Sequence, residues 1–340
     1  TQTATGLIAG TYCVTTTDAN GCTISDCVTL TEPSVLVADT STLVITNVSC
    51  NGFSDGSATV NPSGGTPSYT YQWDAAANSQ TTQTATGLVA GIYCVTVTDS
   101  LGCTVDVCAT ITEPTTVTVS IGVTSNYNGS SITCNGECDG EITATPTGGV
   151  GGYVYQWSSN ANGQTGSVVT GLCAGVYTVT INDTNGCLAT SASITLTEPS
   201  IVQSDSVSGT NISCNSGNDG TATAHISGGT GAYTYQWDAA ANNQTTQTAT
   251  GLIAGSYCVT STDANGCTVS NCITLTEPSA LSITMSGTNI SCNSGNDGTA
   301  TATVTGGTLA YSYQWDAAAN SQTTQTATGL IAGTYCVTTT

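Results

Sequence analysis

The clearest structural signal in the chain is the stretch at residues 85–112, ATGLVAGIYCVTVTDSLGCTVDVCATIT. Apolar and polar residues alternate in it on both sides of an Asp-Ser-Leu-Gly turn, which is the period-two pattern of half-buried strands in a hairpin. Tyr93, Val95 and Val97 therefore share one face, and the threonines between them share the other. The pattern predicts an antiparallel hairpin with one buried face.

The residues before this hairpin extend it into a sandwich. Short alternating runs separated by Gly, Pro, Asn and Asp clusters are typical of about seven strands in two packed sheets. The expected strands of this copy are 43–49, 57–61, 69–74, 80–84, an edge at 85–89, 91–98 and 103–112.

The same pattern recurs along the chain. Tyr-x-Tyr-Gln-Trp motifs repeat at spacings of 84, 80 and 78 residues, and residues 1–17 are identical to residues 324–340. Such a period indicates a repeat protein, and we expect the sequence to be a window of a longer chain. The predicted division is the C-terminal part of a repeat at 1–33, complete repeats at 34–114, 115–199 (the divergent copy) and 200–278, and the N-terminal part of a repeat at 279–340.

The charge balance excludes several functions. The 340 residues contain no Lys or Arg, one His and 21 acidic residues, for a formal charge of −21. Nucleic acids and anionic membrane surfaces are bound through basic side chains, so neither is an expected partner. No apolar run is long enough to insert into a bilayer. The one histidine, His225, has no sequence neighbours that could complete a triad, so we expect a surface strand residue, no catalytic residue and no enzyme activity.

Three strings of the first complete repeat resemble a known family. They are CNGFSDGSATVNPSGGTPSYTYQW at 50–73, ATGLVAGIYCVTVTDSLGC at 85–103 and TITEP at 110–114, and they resemble the SprB-type repeat of surface adhesins of gliding Bacteroidetes. The resemblance recurs in register over essentially the whole chain. It implies secreted, repeat-built proteins on the cell surface, some of them filaments that act in adhesion and gliding.

The sequence therefore predicts an all-β chain of tandem immunoglobulin-like β-sandwich domains in an extended, disulfide-stapled array. The expected role is a structural segment of a long extracellular bacterial filament or surface adhesin whose partners are itself or neighbouring repeats. The alternative is an array of glycan-binding modules, in which the tryptophans would form platforms for sugars. The aromatic residues expected in the core are Tyr71, Trp73, Tyr93, Trp157, Tyr177, Trp237, Tyr257 and Trp315.

Seventeen cysteines indicate an oxidising, extracellular compartment. The divergent repeat has Thr178 and Ala192 in place of the second and fourth cysteines, and this joint loss indicates that the two are normally bonded. The same repeat gains Cys138 and Cys173 together, which predicts another bond. The four pairs predicted in this way are Cys13–Cys27, Cys94–Cys108, Cys258–Cys272 and Cys138–Cys173.

The first and third cysteines of each repeat have two alternative pairings. Their constant separation of 53 residues favours bonds within a domain, which are Cys50–Cys103, Cys134–Cys187 and Cys214–Cys267. Topology favours bonds between domains, because the first cysteine lies at the C-terminal end of one domain and the third at the N-terminal end of the next. Those bonds are Cys50–Cys187 and Cys134–Cys267. Pairing within domains would leave Cys22, Cys292 and Cys336 with partners outside these residues.

Two kinds of surface site are also predicted. Asp residues that precede Gly could supply oxygen ligands to calcium, although Asp-Gly is also ordinary turn chemistry. These residues are Asp55, Asp139, Asp219 and Asp297, and no other metal or cofactor is expected. Ser100 and Ser206 stand in Asp-Ser-apolar triplets that resemble the O-glycan attachment sites of Bacteroidetes.

Overall fold

The structure is a computed structural model that describes residues 2–340. Strands dominate it, which confirms the predicted all-β class. The helical elements of the described residues are five 3-10 turns of three residues, Thr40–Thr42, Ala75–Ala77, Ser159–Ala161, Ala239–Ala241 and Ala317–Ala319. No helix in this part of the chain is long and apolar enough to cross a membrane.

The strands follow the repeats. A hairpin of β1 (Gly10–Thr17) and β2 (Thr23–Leu30) precedes the first complete repeat. That repeat contains β3 (Leu43–Thr46), β4 (Gly56–Val60), β5 (Thr70–Trp73), β6 (Thr84–Leu88), β7 (Gly91–Thr98) and β8 (Thr104–Ile111). The divergent repeat contains β9 (Thr118–Val123), β10 (Gly140–Thr147), β11 (Val154–Trp157), β12 (Val168–Leu172), β13 (Gly175–Tyr177), β14 (Val179–Asn182), β15 (Leu188–Thr190) and β16 (Ile194–Leu196).

The last two segments repeat this order. The third complete repeat contains β17 (Gln203–Thr210), β18 (Gly220–Ser227), β19 (Thr234–Trp237), β20 (Thr248–Leu252), β21 (Gly255–Thr262) and β22 (Thr268–Leu275). The C-terminal partial repeat, residues 279–340, contains β23 (Ser282–Thr288), β24 (Gly298–Thr305), β25 (Tyr313–Trp315), β26 (Thr326–Leu330) and β27 (Val337–Thr339).

The first complete repeat is a β-sandwich. One antiparallel sheet has the order β3-β4-β6 and the other β5-β7-β8, and a single core cluster takes residues from both. The chain passes between the sheets in the order of an immunoglobulin-like Greek key. The third repeat has the same two sheets, β17-β18-β20 and β19-β21-β22. The prediction of tandem immunoglobulin-like sandwiches is therefore confirmed.

The core of the first repeat lies between its sheets. Ala58 and Val60 on one sheet are fully buried, and Trp73 and Val95 on the other are 1% exposed. Trp73 buries its indole without losing a hydrogen bond, because Nε1 donates to the carbonyl of Thr82 at 2.9 Å. Alternating small and large residues thus fill the space between the sheets without orphaned polar atoms.

Most of the expected core aromatics are buried. These are Trp73, Tyr93, Trp157, Tyr177, Trp237, Tyr257 and Trp315. Tyr71 is an exception and is half-buried, because it lies on an edge strand and packs against the rim of the cluster. Burial of the tryptophans also removes the ring faces on which a sugar would stack.

Two strand expectations for the first repeat are wrong. Residues 80–83 form a loop because the Gln80 side chain occupies the backbone groups of Thr86, donating to its carbonyl at 3.0 Å and accepting from its N–H at 3.1 Å. The first strand ends at Thr46, before residues 47–49, because Asn47 Oδ1 accepts the N–H of Thr112 at 2.9 Å. In both places a side-chain amide takes over bonds that a strand partner would make.

The described chain divides into two compact units. The first runs to Gly122 and includes Thr143–Val168 and Tyr177–Ser193, and the second consists of Val123–Ile142, Val169–Val176 and Ile194–Thr340. The first and third complete repeats lie in different units. The repeat boundaries drawn from the sequence stay a prediction.

Candidate functional site at the junction of repeats

Six disulfides join cysteines of the described chain. Three close hairpins at directly opposed strand positions, and a fourth joins the two cysteines that the divergent repeat gained. These four are the pairs predicted from the cysteines that the divergent repeat lacks or gains together. They are Cys13–Cys27, Cys94–Cys108, Cys258–Cys272 and Cys138–Cys173. The remaining two are Cys50–Cys187 and Cys134–Cys267, which link the first cysteine of one repeat to the third cysteine of the next.

The pairing within domains is therefore not the one in the structure. The turn that carries Cys50 is bonded to Glu113, just beyond the end of β8, whereas Cys103 precedes the start of that strand. Eight residues of strand span about 26 Å, too far for a disulfide. The same separation excludes the other two bonds of that alternative, Cys134–Cys187 and Cys214–Cys267.

One side of each junction is a tight turn at the tip of a hairpin, which we call the inserting turn (183–187 and 263–267). Asp183 Oδ1 accepts the N–H groups of Asn185 at 2.9 Å and of Cys187 at 2.8 Å. This carboxylate fixes the conformation of the turn and the direction of its cysteine. Asn185 Nδ2 then donates to the carbonyl of Ser49 at 2.9 Å, next to the disulfide.

The other side is the turn after the first strand of a repeat, which we call the receiving turn (49–52 and 133–136). Asp55 accepts the backbone N–H of Ser49 at 3.0 Å and also its hydroxyl. Glu113 Oε2 accepts the N–H of Gly52 at 2.7 Å, which ties the turn to the end of its own repeat. The receiving turn is thus held at both ends by carboxylates.

The second junction repeats the first. The Cα atoms of its cystine are 5.8 Å apart, against 5.6 Å in the first junction. Asn265 Nδ2 donates to the carbonyl of Thr133 at 3.0 Å, and Glu198 Oε2 accepts the N–H of Gly136 at 2.7 Å. Two junctions with different surrounding sequences therefore share one covalent and hydrogen-bonded design.

The four Asp residues considered for calcium all close receiving turns or their equivalents. Each accepts the backbone N–H of the residue before the first cysteine at 3.0 to 3.1 Å, and these residues are Asp55, Asp139, Asp219 and Asp297. The pKa values of Asp55, Asp219 and Asp297 are lowered by the serine hydroxyl first and the serine N–H second. No group of three or more His, Cys, Asp or Glu side chains in residues 2–340 could hold a metal. The calcium site stays a prediction.

Sequence reasoning missed the residues that complete the junction. Asn185 and Asn265 lie in Asp-x-Asn-Gly-Cys motifs, whose shared spacing could have identified the inserting turn. Glu113 belongs to the TITEP string at 110–114, which the sequence analysis used only for the family resemblance. Its contact with Gly52 joins residues 61 positions apart, so it is visible only in the fold.

The other sequence-predicted residues lie away from the junction. Ser100 is exposed and its hydroxyl donates to the carbonyl of Thr66 at 3.3 Å, and Ser206 is exposed on β17. Their O-glycosylation stays a prediction. His225 is exposed on β18 and its Nε2 lies 2.8 Å from the hydroxyl of Ser208.

Comparison with known proteins finds one family. The SprB repeat matches this chain four times, at residues 42–78, 126–162, 206–242 and 284–320. Each match begins before the first cysteine of a repeat and ends just after its Tyr-x-Tyr-Gln-Trp motif, so it includes the receiving turn. No curated protein matches the chain.

Several solved structures are similar at low sequence identity. The N-terminal eight immunoglobulin domains of Down Syndrome Cell Adhesion Molecule are 11% identical, with a TM-score of 0.28, over 90% of this chain and 56% of that one. Human Desmocollin-1 ectodomain is 12% identical, with a TM-score of 0.27, over 88% and 74%. The BSP domain of a biofilm associated protein is 10% identical, with a TM-score of 0.26, over 72% and 67%.

Proposed function

We propose that this chain, in which the SprB repeat matches four stretches, is a structural, non-catalytic segment of a long extracellular bacterial filament or surface adhesin. The observation that carries the proposal is the repeated cystine junction, Cys50–Cys187 and Cys134–Cys267. A bond that joins successive repeats serves a mechanical role, because it adds a covalent connection to the linker between them.

The mechanical role follows from the path of a pulling force. A force applied to the ends of the chain passes through the disulfide between Cys50 and Cys187 before it stretches the residues between them. Unfolding of one sandwich then releases less chain, because the bond closes a long loop. Hydrogen bonds from Asn185 and Asn265 stiffen the contact around each bond. We expect such an array to keep its repeats in line under load.

Secretion and adhesion-type display are part of the proposal. Six disulfides are typical of an oxidising compartment, and the SprB repeat is the sequence feature that connects this chain to surface adhesins. The partners proposed are neighbouring repeats. No observation favours a glycan site, since the buried tryptophans offer no stacking platform.

Electron microscopy of paired variants tests the proposal. The full chain under oxidising conditions should give elongated particles with a narrow distribution of bending angles. Cys50→Ser with Cys187→Ser removes one junction bond and should broaden that distribution, whereas Cys94→Ser with Cys108→Ser removes a hairpin bond and should leave it unchanged. Compact particles, or equal bending in both variants, would contradict a mechanical junction.

A further inference from the structure

Seven asparagines of the chain are followed directly by glycine. Such a pair is chemically labile, because glycine has no β-carbon to crowd its backbone nitrogen when that nitrogen attacks the asparagine side chain. The seven pairs are Asn20–Gly21, Asn51–Gly52, Asn128–Gly129, Asn135–Gly136, Asn162–Gly163, Asn185–Gly186 and Asn265–Gly266. They differ in whether the glycine N–H is held by a hydrogen bond.

The reaction at such a pair is deamidation, and its co-reactant is water. The glycine nitrogen bonds to Cγ of the asparagine, the Cγ–Nδ2 bond breaks, and the amide leaves as ammonia with the proton of the glycine N–H. Water then opens the cyclic imide at either carbonyl, which gives aspartate or isoaspartate. Asparagine and water thus become an acid and ammonia, and nothing is oxidised or reduced. A hydrogen bond from the glycine N–H slows the first step, because it holds both the proton and the direction of the nitrogen.

In the receiving turns, a glutamate holds the glycine. Glu113 Oε2 accepts the N–H of Gly52 at 2.7 Å. Glu198 Oε2 accepts the N–H of Gly136, also at 2.7 Å. The asparagine amides are held as well, since each donates to the carbonyl of the proline after the glutamate at 3.1 to 3.2 Å. Both reacting groups of these two pairs are therefore occupied.

In the inserting turns, a backbone carbonyl holds the glycine. The carbonyl of Asp183 accepts the N–H of Gly186 at 3.0 Å. The carbonyl of Asp263 accepts the N–H of Gly266 at 3.1 Å. The other two glycine N–H groups with a partner are those of Gly21, which donates to the carbonyl of Asp18 at 3.1 Å, and Gly129, which donates to Asn126 Oδ1 at 2.9 Å.

The pair Asn162–Gly163 is the exception. Both residues are exposed. Within residues 2–340, neither the side-chain amide of Asn162 nor the N–H of Gly163 has a hydrogen-bond partner. A β-carbon added to Gly163 would meet nothing within 4 Å. Water and the asparagine side chain therefore both have access to this nitrogen.

Asn162 lies in a turn that recurs in each repeat. We call it the cap turn, residues 158–163, and its equivalents are 74–79, 238–243 and 316–321. Each equivalent opens with an aspartate. In the first repeat, Asp74 Oδ1 accepts the N–H of Ala77 at 3.0 Å, and the carbonyl of Asp74 accepts the N–H of Ser79 at 2.9 Å. The nitrogen that stands in the place of the glycine nitrogen is thus held in the other cap turns.

The divergent repeat opens its cap turn with Ser158 instead. This shorter side chain makes no capping bond, and its hydroxyl donates to Asn160 Oδ1 at 2.7 Å. Among the described residues, neither Asn162 nor Gly163 finds an acceptor for its backbone N–H, whereas both equivalent residues of the first repeat do. Asn162 is therefore free to rotate from its left-handed conformation (φ 54°, ψ 32°) until the glycine nitrogen faces Cγ.

We propose that Asn162 is a site of spontaneous deamidation, at which the chain ages chemically while its junctions do not. The product places a carboxylate on an exposed turn, and its isoaspartate form also lengthens the backbone there by one carbon. Asn185 and Asn265, which donate across the junctions, keep their amides because their glycines are held. The inference does not depend on the filament function.

Ageing of the folded full chain tests the proposal. The oxidised chain is kept in mildly alkaline buffer, then reduced and cleaved after Glu, which yields one peptide, 142–198, with both Asn162 and the shielded Asn185. Mass spectrometry should find the acid form at Asn162 accumulating about tenfold faster than at Asn185, or more. In denaturant the two rates should be similar. Equal rates in the folded chain would overturn the proposal, as would conversion at neither position of a folded chain whose denatured form converts.

The glycine itself is tested by Gly163→Ser. Serine is accommodated at this place, because Ser79 and Ser321 adopt positive φ values of 52° and 54° in their own cap turns. The side chain of serine crowds the attacking nitrogen, so deamidation at Asn162 should slow by about tenfold. An unchanged rate would show that the acid arises by another route and would overturn the mechanism.

The role of the hydrogen bonds is tested in the first repeat. Ser79→Gly places a glycine after Asn78 in a cap turn that keeps Asp74, and Asn78 should stay unreactive. Adding Asp74→Ser to Ser79→Gly copies the divergent cap turn, and Asn78 should then react about as fast as Asn162. Rapid deamidation with Asp74 in place, or none without it, would overturn the claim that hydrogen bonds decide which asparagine ages.

Shielding at a junction is tested by Glu113→Ala, which frees the N–H of Gly52. Deamidation at Asn51 should accelerate about fivefold, as loss of one charge-assisted hydrogen bond would allow. Asn135 is the internal control, because its glycine stays bonded to Glu198. The same slow rate at Asn51 before and after the substitution would overturn the protective role of the glutamate, and faster reaction at both asparagines would overturn its local action.

Discussion

Aspartate side chains hold the loops of this protein by accepting backbone N–H groups, since the chain has no Lys or Arg to pair with them. Asp99 accepts the N–H groups of Leu101, Cys103 and Thr66 at 2.8 to 3.0 Å. These bonds, with that from Thr66 the largest contributor, lower the pKa of the Asp99 carboxyl. One ionised side chain thus ties the turn at residues 99–103 to the loop before β5.

The first prediction concerns this carboxylate. Asp99→Asn keeps the shape of the side chain but replaces one acceptor oxygen by an NH₂ group. Either the bond from Thr66 or the bonds from Leu101 and Cys103 are then lost, and the NH₂ group points at those backbone N–H groups. We expect a lower thermal midpoint and faster hydrogen exchange at Thr66 and Cys103. The matched control is Asp106→Asn, which loses only an exposed bond to the Thr96 hydroxyl. Equal exchange in both variants would contradict the role of Asp99.

The second prediction concerns pH. The pKa values of Asp55, Asp99 and Asp219 in the folded protein lie below the ordinary 3.8. Each carboxyl group therefore stabilises the fold above pH 3.8, and this stabilisation is lost as pH falls through the folded-state pKa. Burial raises the pKa of Tyr71 and Tyr177 above 10, so their contribution is lost as pH rises through the raised value. We expect thermal midpoints that are flat from about pH 5 to 9 and fall beyond both limits. A fall centred near pH 6.5 would contradict this account.

At the scale of strands and turns, alternation of apolar and polar residues predicted strand bounds well where a strand pairs with its neighbour in a hairpin. The strand expected at 91–98 is β7 to the residue, and β8 starts one residue later and ends one residue earlier than expected. Alternation failed at residues 80–83 because the amide of Gln80 replaces a strand partner. Period-two patterns do not distinguish a strand from a loop that side chains cap.

The third prediction concerns the start of β4. A methyl group on Gly56 would lie 2.8 Å from the carbonyl oxygen of Leu88 in the neighbouring strand β6 and 2.9 Å from Cγ2 of Ile111 in the opposite sheet. Strand β4 would therefore have to shift relative to both. Gly56→Ala should therefore destabilise this repeat by about 1–3 kcal/mol.

Hydrogen exchange in peptides covering β6 and β8 measures the effect locally. Gly122→Ala is the matched control, because its added methyl group meets nothing within 4 Å. Protection that is unchanged in Gly56→Ala would show that the sheets can adjust, contrary to the packing described.

At the scale of the whole molecule, the defining feature is the pair of cystines that link the three complete repeats, Cys50–Cys187 and Cys134–Cys267. The sequence left the partners of Cys50 and Cys134 open, since a constant separation of 53 residues argued for one pairing and topology for the other. Only the fold places the receiving turn beside Glu113 and far from Cys103 along β8. The length of a strand, rather than spacing in the sequence, excludes the pairing within domains.

The fourth prediction also tests the central claim, that cystines between repeats carry load. Single-molecule stretching of the full chain from its two ends measures the extensible length. The reduced chain should extend to about 1,150 Å, the length of 340 extended residues. The oxidised chain should reach less than half of that length. The bonds Cys50–Cys187 and Cys134–Cys267 close loops that contain most of the residues, and a force on the chain ends cannot extend residues inside a closed loop.

Variants assign the effect to the junctions in the same measurement. Replacing Cys187 and Cys267 by serine should restore most of the missing length, whereas replacing Cys94 and Cys108 should leave the extension of the oxidised chain nearly unchanged. Equal extension before and after reduction, or no gain on loss of Cys187 and Cys267, would contradict the account.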